Sequence, residues 1–120
     1  MSEAWLLLLV QLRKRYTLLT EVFDLTTQMG EALDRDDATS FSMLLAMRQE
    51  PIQSLQEQEE RIQSCAEPVA PRWQALCRGE AAQGENEQRV AEQMKQNKQL
   101  IDRLVPIDRQ IQKVLSAKKA

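Results

Sequence analysis

The chain contains no histidine. Histidine is the side chain that titrates near neutrality and the commonest metal ligand. Its absence argues against zinc chemistry and imidazole acid–base catalysis, while leaving carboxylate chemistry open. Glycine and proline are scarce, at three and four residues in 120, and aromatics make up 4%. So few β-branched and aromatic residues argue against sheets, and so few aromatics argue against a large globular core. The two cysteines, Cys65 and Cys77, are too few for a disulfide framework, and their spacing fits no zinc motif. Reduced, partly buried thiols in a cytosolic protein fit better. The most apolar run, Trp5 to Val10, falls far short of the roughly 20 residues that cross a bilayer. Nor is it the core of a secretion signal. Glu3 stands where a basic region belongs, and Arg13, Lys14 and Arg15 follow where a small-residue cleavage site is needed. The expectation is a cytoplasmic chain without stable membrane insertion.

What remains is a helical palette: 42% hydrophobic residues, with Gln, Glu, Lys and Arg supplying most of the rest. From Glu3 to Leu33 the residues Trp5, Leu9, Leu12, Tyr16, Leu19, Phe23, Thr26, Gly30 and Leu33 alternate four and three apart. A second stripe (Leu18, Val22, Leu25, Met29, Ala32) runs beside it. Two stripes make a face wide enough to touch two other helices. Asp34-Arg35-Asp36-Asp37 closes this helix and opens the next, with Asp36 or Asp37 placed to cap it. So short a connection forces an antiparallel hairpin. The second helix is expected over 38–64 along Phe41, Leu45, Arg48, Ile52, Leu55, Glu59 and Ile62, with Leu44 and Met47 alongside and a kink at Pro51. Residues 65–85, broken by Pro68, Pro71, Gly79 and Gly84, form a connection containing a short helix at Arg72–Cys77 docked by Trp73 and Leu76. The last helix is expected over 86–117, richer in apolar residues after Gln99, with a second kink site at Pro106. It carries eight Lys/Arg against five Asp/Glu over 85–120, whereas residues 1–40 carry four against seven. That asymmetry favours antiparallel docking of the last helix on the first. The fold class is all-α: an elongated antiparallel hairpin or bundle of three long helices and a short fourth, in one domain.

No motif of chemistry emerges. The three glycines are too dispersed to cradle a phosphate, and no nucleophile elbow or HExxH is present. Glu57, Glu59 and Glu60 read as a solvated helix face. Arg13-Lys14-Arg15 is too small a basic patch for a nucleic-acid reader at a net charge of −2. The expectation is a protein that is not an enzyme and has no cofactor, no metal and no nucleic-acid partner. Polar residues do intrude into the seams: Arg48, Glu59, Asn97 and Asp108. They read as register control, or as weak points at which one helix exchanges for a partner's.

The stretch Met29-Gly-Glu-Ala-Leu-Asp-Arg-Asp-Asp37, followed by Phe41-Ser-Met-Leu-Leu-Ala-Met-Arg-Gln49 and Ile52-Gln-Ser-Leu55, resembles the first hairpin of flagellar export chaperones of the FliT and FlgN type. Leu100-Ile-Asp-Arg-Leu104 and Ile107-Asp-Arg-Gln-Ile111 are similar to their last helix. Pro51 and a C-terminal region without aromatics depart from that pattern. The resemblance implies a cytoplasmic chaperone for a helical or disordered C-terminal segment of a secreted flagellar cap or hook–filament junction protein, and delivery of that client to the type III export apparatus. The groove is then expected on the first hairpin at Leu19, Phe23, Phe41, Leu45 and Ile52. In the free protein it would be covered by Leu100, Ile101, Leu104, Ile107, Ile111, Val114 and Leu115 of the last helix. The alternative is a structural coiled-coil adaptor or oligomerisation subunit, such as a homodimer, built on the same stripes.

Overall fold

Two apolar stripes on one helix require two neighbours. In the computed structural model, which describes residues 2–119, α1 (Glu3–Asp34) lies between α2 (Ala38–Ala66) and α4 (Gly84–Lys119). A 3-10 turn (Glu67–Val69) and the short α3 (Ala70–Cys77) connect α2 to α4. The described residues contain no strand, and the chain is an all-α helical bundle. Its extents of 51 × 23 × 20 Å are those of long helices lying side by side. Both α2 and α4 pack closely on α1, yet their backbones scarcely approach each other. The result is a trough with α1 as its floor.

The hairpin turn is built from two caps placed back to back. The Asp37 N–H donates to the Ala32 carbonyl at 2.8 Å and the Asp36 N–H to the Leu33 carbonyl at 3.1 Å. This is the Schellman pattern, which satisfies carbonyls left over at a helix end. It needs a left-handed residue, and Asp36 takes that role at φ 55°. Asp37 is then free to cap α2, its carboxylate accepting from the Ser40 N–H at 3.0 Å. Hydrogen bonds from Ser40, first from its side chain and then from its backbone, hold the Asp37 carboxyl below the usual range.

Contrary to the expectation from its charge, helix α4 does not dock antiparallel on α1. Asn97 meets Leu12 and Lys118 meets Asp36, pairs separated by 85 and 82 residues in sequence. A nearly constant offset means parallel helices, so α4 is parallel to α1 and antiparallel to α2. The cause is the connection. Trp73 and Leu76 of α3 dock into the core at the end where α1 begins, and the chain turns there before α4 starts. Pro68 and Pro71 sit in the first turns of their helical segments, where a missing N–H costs nothing. Gly79 (φ 87°) closes α3 with the same Schellman pattern, the Glu80 N–H donating to Ala75 and the Gly79 N–H to Leu76. The Arg72 guanidinium then grips Glu87 through Nη2 at 2.6 Å and Nε at 3.1 Å. Glu87 also accepts from the Gln83 N–H.

Pro51 does not end α2, which continues unbroken from Ala38 to Ala66. It lies buried in the seam together with Gln58, Ile62 and Ala66. The face turned toward α1 follows Leu44, Arg48, Pro51, Leu55, Gln58 and Ile62, one residue off the expected stripe at three of its positions. Leu45 and Glu59, expected in the seam, are exposed, and so is Met47. The reason is that Pro51 and Gln58 bury well here although neither registers in a hydrophobic pattern. The Gln58 amide donates to the Gln11 carbonyl at 2.9 Å. Tyr16 also departs from the expected stripe on α1 and is exposed.

Candidate helix-binding grooves

The two ends of the bundle differ. Where α1 begins, Trp5, Leu8, Leu9 and Leu12 pack with Ile62 and Ala66 of α2, Trp73 and Leu76 of α3, and Val90 of α4. Four elements close this end. At the other end only three helices meet, and α1 presents Gly30, which carries no side chain, toward Ile111 of α4. A groove of about 400 Å³ opens there between α1 and α4. Its α1 wall is Thr27, Gly30, Glu31, Leu33 and Asp34, and its α4 wall includes Pro106, Ile107, Ile111 and Val114. On the opposite flank of Glu31, a groove of about 230 Å³ between α1 and α2 is lined by Met43, Leu44 and Met47. Met43 and Met47 are 62% and 55% exposed. Flexible, polarizable methionines suit a surface that adapts to varied apolar partners. Glu31 stands on the ridge between the grooves and Asp34 on the α1–α4 side, and no described cation pairs with either.

A polar tie crosses the trough just below these grooves. Arg48 of α2 reaches over α1, its Nη1 donating to Thr26 Oγ1 at 3.0 Å and to Asp108 of α4 at 2.9 Å. Thr26 is fully buried. Nearer the closed end, Asn97 donates to the Leu12 carbonyl and accepts from Gln93. Arg15 and Glu59 approach at 3.5 Å, a contact of charges rather than a hydrogen bond. Arg48, Asn97 and Asp108 therefore have partners between the helices, whereas Glu59 meets Arg15 from an exposed position outside the seam. The satisfaction is incomplete: Arg48 Nε, Arg15 Nη1 and the amide oxygens of Gln11 and Gln58 are buried without a hydrogen-bond partner.

The residues named from sequence fall into two groups. Leu19, Leu100 and Ile111 are buried between helices. Phe23 is half-buried, with the Arg103 guanidinium of α4 4.8 Å above its ring. Ile101, Leu104, Ile107, Val114 and Leu115 are half-buried along α4. The structure thus brings α1 and α4 together around Leu19 and Phe23. It leaves Phe41 and Ile52 half-buried on α2, and Leu45 exposed. Sequence reasoning missed the part of Gly30 in the α1–α4 groove and the outward turn of Met43 and Met47. The four-residue spacing of the two methionines was the available signal.

Neither Cys65 nor Cys77 is in a disulfide. Cys65 is half-buried, whereas Cys77 is exposed rather than partly buried as expected; what desolvation it has pushes its thiol up, with the Glu59 carboxylate adding to the effect. No three His, Cys, Asp or Glu side chains gather as a metal site among the described residues, and no helix is long and apolar enough to cross a membrane. No family model, curated protein or solved structure matches the chain.

Proposed function

We propose that the protein is a cytoplasmic helix-binding chaperone of the flagellar export type. It holds a helical or disordered C-terminal segment of a secreted cap or hook–filament junction protein until the export apparatus takes it, and it performs no catalysis. The observation that carries this reading is the apolar groove between α1 and α4 over Gly30, continued across Glu31 by the methionine-lined groove of α2. An amphipathic client helix lays i, i+3, i+4 and i+7 anchors into such a surface. Ordering the client costs free energy and keeps the complex reversible, as a hand-over requires.

Labelled peptides spanning the C-terminal segments of cap and junction proteins, titrated onto the full chain and followed by fluorescence anisotropy, test the proposal. Gly30→Phe fills the groove and should abolish binding while helicity is retained. Peptide binding that ignores Gly30→Phe, or no binding by any such peptide, would overturn the assignment.

A further inference from the structure

The apolar run at the start of α1 does more than fill the core. Trp5, Leu8, Leu9 and Leu12 turn inward and are at most 7% exposed. Leu6, Leu7 and Val10 turn outward and are 48%, 43% and 37% exposed. The outward stripe reads Glu3, Leu7, Val10, Lys14, with Leu6 and Arg13 beside it, and it then continues as Thr17, Glu21, Asp24, Gln28 and Glu31. Only Leu7 and Val10 in this stripe are apolar. The core beneath is complete without these three aliphatics, so nothing in the fold explains them.

We propose that two copies of the chain pair through this stripe in antiparallel fashion, about a twofold axis passing between Leu7 and Val10. The argument for a second copy is the order of the charges. An acid, two aliphatics and a base occupy successive stripe positions, and such a series is complementary to itself when reversed. Leu7 of each copy faces Val10 of the other, and Glu3 of each faces Lys14 of the other. A parallel pairing would set Glu3 against Glu3 and Lys14 against Lys14. Reciprocal contacts of this kind define an isologous interface, which closes at two copies. Antiparallel α1 helices also oppose their dipoles. The flanks suit a rim: Arg13, Glu85 and Arg89 border the stripe on the α4 side, and Lys14, Glu57 and Arg61 on the α2 side. Apolar centres with mixed-charge rims are the usual anatomy of such contacts. Three aliphatics per copy make a small centre, so the dimer is weak and depends on concentration. The pairing lies at the closed end and leaves the Glu31 grooves free, pointing in opposite directions. It stands whether or not those grooves hold a flagellar client.

Sedimentation velocity of the full chain, from low micromolar to millimolar concentration, provides the test. The wild type should pass from monomer to dimer and no further. The dimer in small-angle scattering should span roughly 80 Å, given helices of 1.5 Å rise overlapped over their first four turns. Val10→Glu should abolish the dimer with the unfolding midpoint unchanged. Lys14→Glu should raise the dissociation constant about tenfold, and the double variant Glu3→Lys with Lys14→Glu should restore it. A wild type that stays monomeric, a dimer that survives Val10→Glu, or a double variant weaker than Lys14→Glu alone each overturns the proposal.

Discussion

The end of the bundle where α1 begins and the end where it stops are built from similar residues with different results. At the first, four elements enclose Leu8 and Val90 so completely that neither is exposed at all. At the second, Met29, Ala32 and Ile111 are equally buried, yet Ile107, Val114 and Leu115 remain half-covered because no fourth element caps them. The lesson concerns topology more than composition. The prolines and glycines of the connection place α3 at one end only, and one end is therefore a closed core while the other is a set of grooves.

The largest expected effect separates the two ends directly. Leu8→Ala should lower unfolding stability by about 2–5 kcal/mol, as deletions in well-packed cores do. Ile107→Ala should cost about 1 kcal/mol or less, because its site already meets water. Urea titrations followed by circular dichroism would show both, and equal costs would erase the contrast. Next comes the tie between the ends. Arg48→Ala strands buried Thr26 and should cost about 1–3 kcal/mol. It should also speed hydrogen exchange in α4 after Asp108 more than before Asn97. Smaller, and opposite in sign, is Asp36→Gly. Glycine accepts the left-handed backbone that Asp36 tolerates with strain, so the turn should gain about 0.5–1 kcal/mol despite losing the exposed Lys118 contact; a lower melting temperature would show that the ion pair matters more.

Acid should loosen both ends at once. The hydrogen bonds from Arg72 are the largest influence holding the Glu87 carboxyl below its usual range, and Ser40 does the same for Asp37. A depressed carboxyl adds stability that is fully present above its unfolded pKa and is lost as pH falls through the lowered folded value. The melting temperature should therefore hold from neutrality to about pH 5 and fall below about pH 4. Glu87→Gln should flatten part of that fall, and an unaltered acid slope would remove Glu87 from the account.

How much of this was legible in the residues depended on the helix. The double stripe of α1 specified a helix with two neighbours, and Asp34 to Asp37 specified a tight hairpin, because periodicity and capping are local. Hydropathy places the α2 seam one residue off at Leu45, Ile52 and Glu59, since Pro51 and Gln58 bury for reasons of shape and hydrogen bonding that it does not record. The direction of α4 was not legible either. It is decided by where Trp73 and Leu76 dock and by the clasp of Arg72 on Glu87, both long-range contacts, whereas the net charge of a segment attracts a partner in either orientation. The grooves followed from what was absent, the side chain at Gly30 and a fourth element at that end, and an absence leaves no periodic trace.

The turn at Asp36 and Asp37 has a mechanical corollary. Because one residue finishes α1 and the next starts α2, no slack separates them, and the two caps share one turn. An added residue anywhere between Arg35 and Asp37 would unseat both caps together. On the α4 side the attachments near the grooves include Ile111 over Gly30, the Arg48 bridge to Asp108, the Arg103 guanidinium over Phe23 and the solvent-facing Lys118 on Asp36.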